Sequence, residues 1–509
     1  EGHKWETISP DLARNDPSKL GPSGGPITKD NTSVEYYCTI FAAIESPYEE
    51  GLLWTGSDDG LVHVSKDGGE NWENVTPKNM PEWIMINSIE ADPFTKGGAY
   101  IAATSYKNGD YQPYLYKTKD YGRSWTKIVN GIQNDHFTRV VRADPERKGL
   151  LYAGTETKIY ISFDDGASWK DFQLNLPIVP ITDLTIKDNH LIAATQGRGF
   201  WLIDDLTVLH QLSDEIGRKD FYLFQPKKTY RIGGRSIESK TAGKNMPSGV
   251  ITYFHLKDTA SADTVKIQYK EKSGKVIASY STHPDEKAKE EKLTVKPGSN
   301  QLIWNMRYPD AEGFEGMILW WSSTSGPTAL PGEYDVEISI NGNSQTQEFE
   351  IVKDPRSSAT QEDLKAQFDF QNRVISKLSE TNLAIKDIRK AREQIEDVIE
   401  KAEADTIKNM GKSILEEMKE IEEALYQTKN RSRQDPLNYP IRLNNKLGHL
   451  NSLVGMGDFR PTESAIEFSK EVTARIDKHL DSLNNILDKK VNAFNELVQA
   501  NQVKAVKLD

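Results

Sequence analysis

Three segments of this chain share one pattern, Ser/Thr-x-Asp-x-Gly-x-x-Trp. They are Ser65-Lys-Asp67-Gly-Gly69-Glu-Asn-Trp72, Thr118-Lys-Asp120-Tyr-Gly122-Arg-Ser-Trp125 and Ser162-Phe-Asp164-Asp-Gly166-Ala-Ser-Trp169. A second shared block precedes each: Pro47 leads to Gly51-Leu-Leu-Trp54, Pro93 to Gly98-Ala-Tyr100, and Pro145 to Gly149-Leu-Leu-Tyr152. A period of about 50 residues with room for four short strands per unit predicts β-propeller blades. A weaker copy, His190-Leu-Ile-Ala-Ala-Thr195 then Gly197-Arg-Gly-Phe-Trp201, ends the series near residue 206. The pattern has a physical logic. It follows alternating apolar runs such as Leu61-Val-His-Val64, where a chain reversal loses ladder bonds. The hydroxyl and carboxylate replace those bonds, Gly supplies the positive φ, and the Trp folds back over the hairpin.

The motif resembles the Asp-box, or bacterial neuraminidase repeat. In that family it lies on the outer hairpin of each blade, which implies a turn-forming role for Asp67, Asp120 and Asp164 and argues against a catalytic one. Further stretches are similar to large bacterial proteins catalogued as BNR-repeat glycosyl hydrolases, whose repeats are similar to the sortilin (VPS10-like) propeller. They are Trp5-Glu-Thr-Ile-Ser-Pro-Asp11-Leu, Gly21-Pro-Ser-Gly-Gly-Pro26, Gly56-Ser-Asp-Asp-Gly60-Leu-Val-His63 and Gly197-Arg-Gly-Phe-Trp-Leu-Ile-Asp-Asp205-Leu, with Tyr308-Pro-Asp310 and Gly316-Met-Ile-Leu-Trp320. The resemblance covers nearly the whole chain. It also has departures. The single cysteine, Cys38, leaves no place for sortilin's cysteine-rich module and excludes an intramolecular disulfide. Tyr230-Arg231-Ile232-Gly233 only faintly resembles the sialidase Phe-Arg-Ile-Pro signature and lies outside the repeats. No catalytic residue carries over.

Glu1-Gly2-His3-Lys4-Trp5 matches the end of the same motif without its Ser/Thr-x-Asp. A hairpin cut at its tip predicts that this chain is the C-terminal part of a longer protein, with missing N-terminal blades and an export signal upstream. The alternative is a processed terminus with a chance echo of the motif. The resemblance implies an exported protein: periplasmic, cell-surface or secreted.

The composition changes twice more. Residues 213–245 read as a linker. Residues 246–354 alternate as strands do: Val265, Ile267 and Tyr269, then Tyr334, Val336, Ile338 and Ile340 before the Asn341-Gly342 turn. With Trp304, Trp320 and Trp321 for a core, they predict an immunoglobulin-like or fibronectin-like β-sandwich. The Trp320–Trp321 pair is read as buried core, with a sugar-stacking platform as the alternative. Residues 355–509 carry apolar stripes at helical spacing, among them Leu364, Phe368, Ile375, Leu378 and Ile385, and later Ile476, Leu480, Leu483 and Leu487. An antiparallel helical bundle follows. Its charged faces are solvated, or else one seam pairs with another subunit. The expected fold class is thus multidomain β + α: a partial propeller over residues 1–212, the sandwich, then the bundle.

The chemistry is sparse. Lys and Arg number 64 against 76 Asp and Glu, a net charge of −12, which disfavours nucleic acid and anionic membrane as partners. Apolar residues reach 37% with no run long enough to span a membrane. Neither a zincin-like His pair, a phosphate-cradling glycine loop nor a Gly-x-Ser-x-Gly elbow is present, and no metal or cofactor is expected. The remaining candidates are Asp58, Asp59, Glu156, Arg198, Asp204 and Asp205, all near blade turns. Paired carboxylates can divide acid and base roles across a sugar ring; Asp and Glu beside Gly also simply form turns. Two functions follow: a scaffold binding a protein, peptide or glycan, or a glycoside hydrolase acting on an extracellular polysaccharide.

Overall fold

The computed structural model describes residues 4–27, 29, 37–232, 241–258 and 264–503. Glu1, Gly2 and His3 of the motif echo and Gly233 of the sialidase-like stretch lie outside the described residues. The chain divides into two compact units, residues 1–212 and 213–509.

In the first unit each repeat folds as an antiparallel sheet in sequence order. Blade 1 holds β1 (Ile40–Glu45), β2 (Leu53–Ser57), β3 (Val62–Ser65) and β4 (Glu73–Asn74). Blade 2 holds β5 (Met85–Ala91), β6 (Ala99–Ser105), β7 (Asp110–Thr118) and β8 (Thr126–Lys127). Blade 3 holds β9 (Thr138–Ala143), β10 (Leu151–Thr155), β11 (Ile159–Ser162) and β12 (Lys170–Asp171). Blade 4 has three strands, β13 (Ile181–Lys187), β14 (His190–Thr195) and β15 (Phe200–Ile203), followed by a short helix α1 (Thr207–Gln211).

First strands adjoin one another in the order β1, β5, β9, β13, as in a propeller arc. Apolar cores fill each gap between blades. Trp54, Val62 and Val64 of blade 1 meet Ile86 and Ile89 of blade 2. Leu115 of blade 2 meets Val141 and Leu151 of blade 3, and Ile159 and Ile161 of blade 3 meet Ile181 and Leu184 of blade 4. The approach is close enough that a Cβ at Gly56 would collide with the Ile86 side chain, so the second strand needs glycine there.

The second unit begins with two sheets over one core. The smaller joins β16 (Phe221–Leu223), β18 (Val250–Leu256) and β22 (Gly298–Trp304). The larger runs β17 (Thr229–Arg231), β24 (Asn343–Lys353), β23 (Gly332–Ile340), β19 (Val265–Glu271), β20 (Val276–Ser281) and β21 (Glu291–Lys292). The alternating residues point inward: Ile267, Tyr269, Val336 and Ile338 pack with Phe254 and Trp304. Tyr269 stacks on Trp304 at 4.7 Å between centroids. The stretch read as a linker contributes β16 and β17, which pair with β18 and, in parallel, with β24.

Trp320 and Trp321 depart from the core reading. They sit on the loop between β22 and β23, which leaves the sheets to pack on the helices. Trp320 N–H donates to Asn445 Oδ1 at 2.8 Å, while Trp321 is 74% exposed.

The helices are α2 (Gln361–Lys401), α3 (Asp405–Leu425), α4 (Leu443–Val454), α5 (Glu463–Asn485) and α6 (Asn492–Ala500), the last two joined by a π-helical turn. A capping box starts α2: Asp363 N–H donates to Thr360 Oγ1 and Thr360 N–H to Asp363 Oδ2, each at 3.1 Å. The apolar stripes meet in one core that includes Leu378, Ile385, Met418, Leu447 and Ile476. Buried Glu422 accepts from Arg389 (2.7 Å) and Arg392 (2.9 Å), tying α3 to α2. Among the described residues no helix is long and apolar enough to cross a membrane.

Candidate functional site

Blades 1 to 3 each have two kinds of edge, and blade 4 has only the second. One carries the motif hairpins, between third and fourth strands; the other carries the turns between second and third strands. The hairpins repeat the same bonds. Ser65, Thr118 and Ser162 each donate a hydroxyl to the motif Asp at 2.8 Å. The same hydroxyls accept from the backbone N–H of Gly69, Gly122 and Gly166 at 2.9–3.0 Å. The Asp carboxylates accept from the backbone of Asn71, Ser124 and Ser168 at 2.8–3.0 Å. The three glycines have φ between 79° and 102°, which the reversal requires. Bonds from Asn71 hold the Asp67 carboxyl below its usual range; for Asp120 and Asp164 the same kind of bonds overcome burial and lower it too. The Trp indoles reach back to the preceding segment: Trp72 to Ile8 O at 2.9 Å, Trp125 to Val75 O at 2.7 Å and Trp169 to Ile128 O at 2.8 Å.

Asp58, Asp59, Glu156 and Arg198 lie on the other edge, on the turns of blades 1, 3 and 4. Asp204 and Asp205 follow β15 at the opposite end of their blade. The structure engages most of these acids in local bonds. Buried Asp59 accepts from Arg14 N–H at 2.7 Å and from the Ser57 hydroxyl. Asp58 Oδ1 accepts from Thr39 N–H at 2.9 Å, and burial raises its carboxyl despite that bond. Glu156 pairs with Arg139 Nε at 2.6 Å. Asp205 Oδ1 accepts from Thr207 N–H at 3.0 Å, in the turn before α1. Arg198 is exposed, and its carbonyl accepts from Trp201 Nε1 at 3.2 Å. In the second unit, Arg231 donates to Ala329 O at 3.1 Å and pairs with Asp458.

Two features on the arc were not singled out by the sequence. The first is an aromatic–guanidinium cluster on the turn edge of blades 2 and 3. Tyr106 stacks on Phe137 with centroids 5.1 Å apart, and Tyr111 lies 6.1 Å from Phe137. The Arg139 guanidinium sits 5.3 Å from the Phe137 ring and 5.7 Å from Tyr106 while it holds Glu156. Tyr106 and Tyr111 flank the β6–β7 turn, and Phe137 with Arg139 enters β9. The contact follows from two adjacent blades presenting the same edge.

The second is a charged cluster on the first strands. Arg142 on β9 donates from Nη2 to Asp183 Oδ1 of β13 at 2.7 Å and from Nη1 to Ser88 Oγ of β5 at 2.8 Å. Its Nη1 is also 3.6 Å from Glu90 Oε2. Burial pushes the Glu90 carboxyl up to about 7, with Asp183 adding to the rise and Arg142 opposing it. A carboxyl poised near neutrality can give or take a proton under ordinary conditions. A signal for it exists in the repeat. Glu90 and Arg142 each stand three residues before the blade proline, where blade 1 has Ile44, and they pair across to Tyr100 and Tyr152 as Ile44 pairs to Trp54. Among the described residues no group of three or more His, Cys, Asp or Glu could hold a metal ion.

No family profile matches the chain. It is 31% identical over 85 residues to an oligoxyloglucan-reducing end-specific xyloglucanase of Emericella nidulans, covering 16% of this chain and 10% of that enzyme. It is 22% identical over 129 residues to a probable enzyme of the same description from Neosartorya fischeri, covering 25% and 16%. The chain therefore spans only a small part of these relatives. Among solved structures, YCF48 from Cyanidioschyzon merolae aligns with 33% of this chain and 53% of its own, at 19% identity and TM-score 0.25. YCF48 bound to D1 peptide aligns with 32% and 51%, at 20% identity and TM-score 0.26.

Proposed function

We propose that the arc of residues 1–212 is an exported Asp-box, sortilin-like binding module whose ligand, a protein, peptide or glycan chain, lies across the turn edge of blades 2 and 3. The immunoglobulin-like sandwich and helical bundle then serve as accessory modules. The observation that carries this reading is the contrast on that edge. Asp58, Asp59 and Glu156 are engaged by Thr39, Arg14 and Arg139, whereas Tyr111 offers an exposed ring beside Tyr106, Phe137 and the Arg139 guanidinium. Aromatic faces with a neighbouring cation suit sugar rings and peptide side chains alike. Titration of peptide and oligosaccharide panels against the chain and its Tyr111→Ala and Arg139→Ala variants tests this reading. Each substitution should weaken binding at least tenfold with the fold intact; binding that ignores both sinks it.

A second reading has its own support. Glu90, held near pH 7 beside Asp183, is suited to an acid role in glycoside hydrolysis, and the short identity to xyloglucanases names a substrate to try. Turnover of xyloglucan oligosaccharides that is lost in Glu90→Gln or Asp183→Asn would replace the binding reading with hydrolysis. The variants Asp58→Asn, Asp59→Asn and Glu156→Gln belong in the same assay as the turn-edge arm.

A further inference from the structure

Residues 305–331, between β22 and β23, carry the Trp320–Trp321 pair, and α4 holds the backbone on both sides of Trp321. Asn445, itself buried, clamps Trp320: its Oδ1 accepts from the Trp320 N–H at 2.8 Å and its Nδ2 donates to the Trp320 carbonyl at 2.9 Å. His449 Nδ1 stands 2.8 Å from the Trp321 carbonyl. Ser323 N–H donates to Gly448 O at 2.9 Å. Buried Asn451 donates to the carbonyls of Ser323 at 3.1 Å and Ser325 at 2.9 Å. The loop lies so close to α4 that a Cβ at Gly448 would come within 3.0 Å of the Ser322 Cβ.

Inside that clamp Trp321 takes a conformation its own chemistry disfavours. Its φ is 49°, in the left-handed region that bulky L residues rarely adopt. Its indole, which burial would stabilise, is 74% exposed. A loop that only had to cross the helices could place glycine or a polar residue there. Buried amides instead hold a strained backbone so that one large flat ring points into solvent, as backbone outliers at ligand clamps do. Trp320 stands beside it, with ring centroids 5.9 Å apart and planes inclined at 46°.

The surroundings select the ligand. Among the described residues of the second unit, Lys and Arg side chains stand over other aromatic rings and over neither of these two. The clamp adds hydrogen-bonding side chains at the margin, Ser322, Ser323 and His449. A carbonyl only accepts, so His449 Nδ1 carries the hydrogen and the neutral ring leaves Nε2 as an acceptor. A pyranose ring matches both parts: its C–H face covers an indole without a charge, and its hydroxyls bond to groups beside it. We propose that Trp321, with Trp320 beside it, is a saccharide-stacking site on the second unit that takes a neutral chain of pyranose rings. Asn445 and Asn451 are its positioning residues. The site stands independently of what the turn edge of blades 2 and 3 binds.

Affinity electrophoresis of the full chain through gels containing hydroxyethylcellulose, xylan, galactomannan or glycogen tests the proposal, with polygalacturonate as the charged arm. At least one neutral gel should retard the chain, and Trp321→Ala should abolish that retardation with circular dichroism unchanged. Trp321→Gly separates ligand from fold, because glycine adopts the positive φ freely. It should melt at the parent's temperature or higher and still lose the retardation. No retardation in any neutral gel, or retardation by polygalacturonate alone, would overturn the proposal. So would a Trp321→Gly variant that melts well below the parent, since the ring would then serve the fold. Retardation that survives Trp321→Ala and disappears in Tyr111→Ala would belong to the turn edge and overturn it as well.

Discussion

The two edges of the same blades obey different rules. On the motif edge three hairpins repeat their hydroxyl–carboxylate, amide–hydroxyl and amide–carboxylate bonds to within about 0.2 Å. On the turn edge no two blades agree: blade 1 places a buried Asp59 on Arg14, blade 2 Tyr106 and Tyr111, blade 3 Glu156 on Arg139, and blade 4 the exposed Arg198. Repetition marks what each four-stranded blade needs to close its hairpin. Divergence marks where the chain is free to vary, because a rigid sheet carries the turns whatever their sequence.

The sharpest break of that contrast is Trp169→Ala on the motif edge. Trp169 is 4% exposed and bonded to Ile128 O, so its removal should cost about 3–5 kcal/mol in urea unfolding. A loss under about 1 kcal/mol would mean that the hairpins are not what holds the blades.

Between the edges, Glu90 should make stability depend on pH. Its folded carboxyl titrates near 7 against an ordinary 4.5, so the folded chain keeps a proton that the unfolded chain releases. Its contribution is full below about pH 4.5 and is lost as pH rises through about 7, by about 3 kcal/mol at most. Glu90→Gln should flatten that slope in melting curves recorded from pH 4 to pH 8. An unchanged slope would show that Glu90 is not the group responsible.

Smaller still, Asp164→Ala removes three hydrogen bonds at an exposed hairpin, from the Ser168 N–H and from the Ser168 and Ser162 hydroxyls, and should cost about 1–2 kcal/mol in the same unfolding assay. On the turn edge, Glu156→Gln weakens one part-exposed ion pair with Arg139 and should cost less than about 1 kcal/mol. If Glu156→Gln proves costlier than Asp164→Ala, the division between a structural edge and a divergent one fails.

The sequence made the repeat legible because each hairpin is local. Ser162, Asp164 and Gly166 lie within one reversal, and their spacing alone states the bonds they make, whereas Trp169 bonds to Ile128 O of the preceding repeat, which no spacing within the motif states. The long helices were legible for the same reason, since a stripe such as Leu378 and Ile385 lies on one face of one element. Sequence-local logic reached too far with Trp320 and Trp321, which look like core aromatics in any window. They lie on a loop whose place is set by Asn445, far along the chain.

The amino-acid sequence by itself determined the blade repeat, the order of β and α regions and the motif hairpins, all decided by neighbours within a few residues. Only the tertiary structure decided that Arg142 joins Ser88, Glu90 and Asp183, and that Tyr106 meets Phe137. It likewise decided that blade 4 ends one strand short. Those partners come from different blades, and blades meet through packing between sheets, which no periodicity along one strand records.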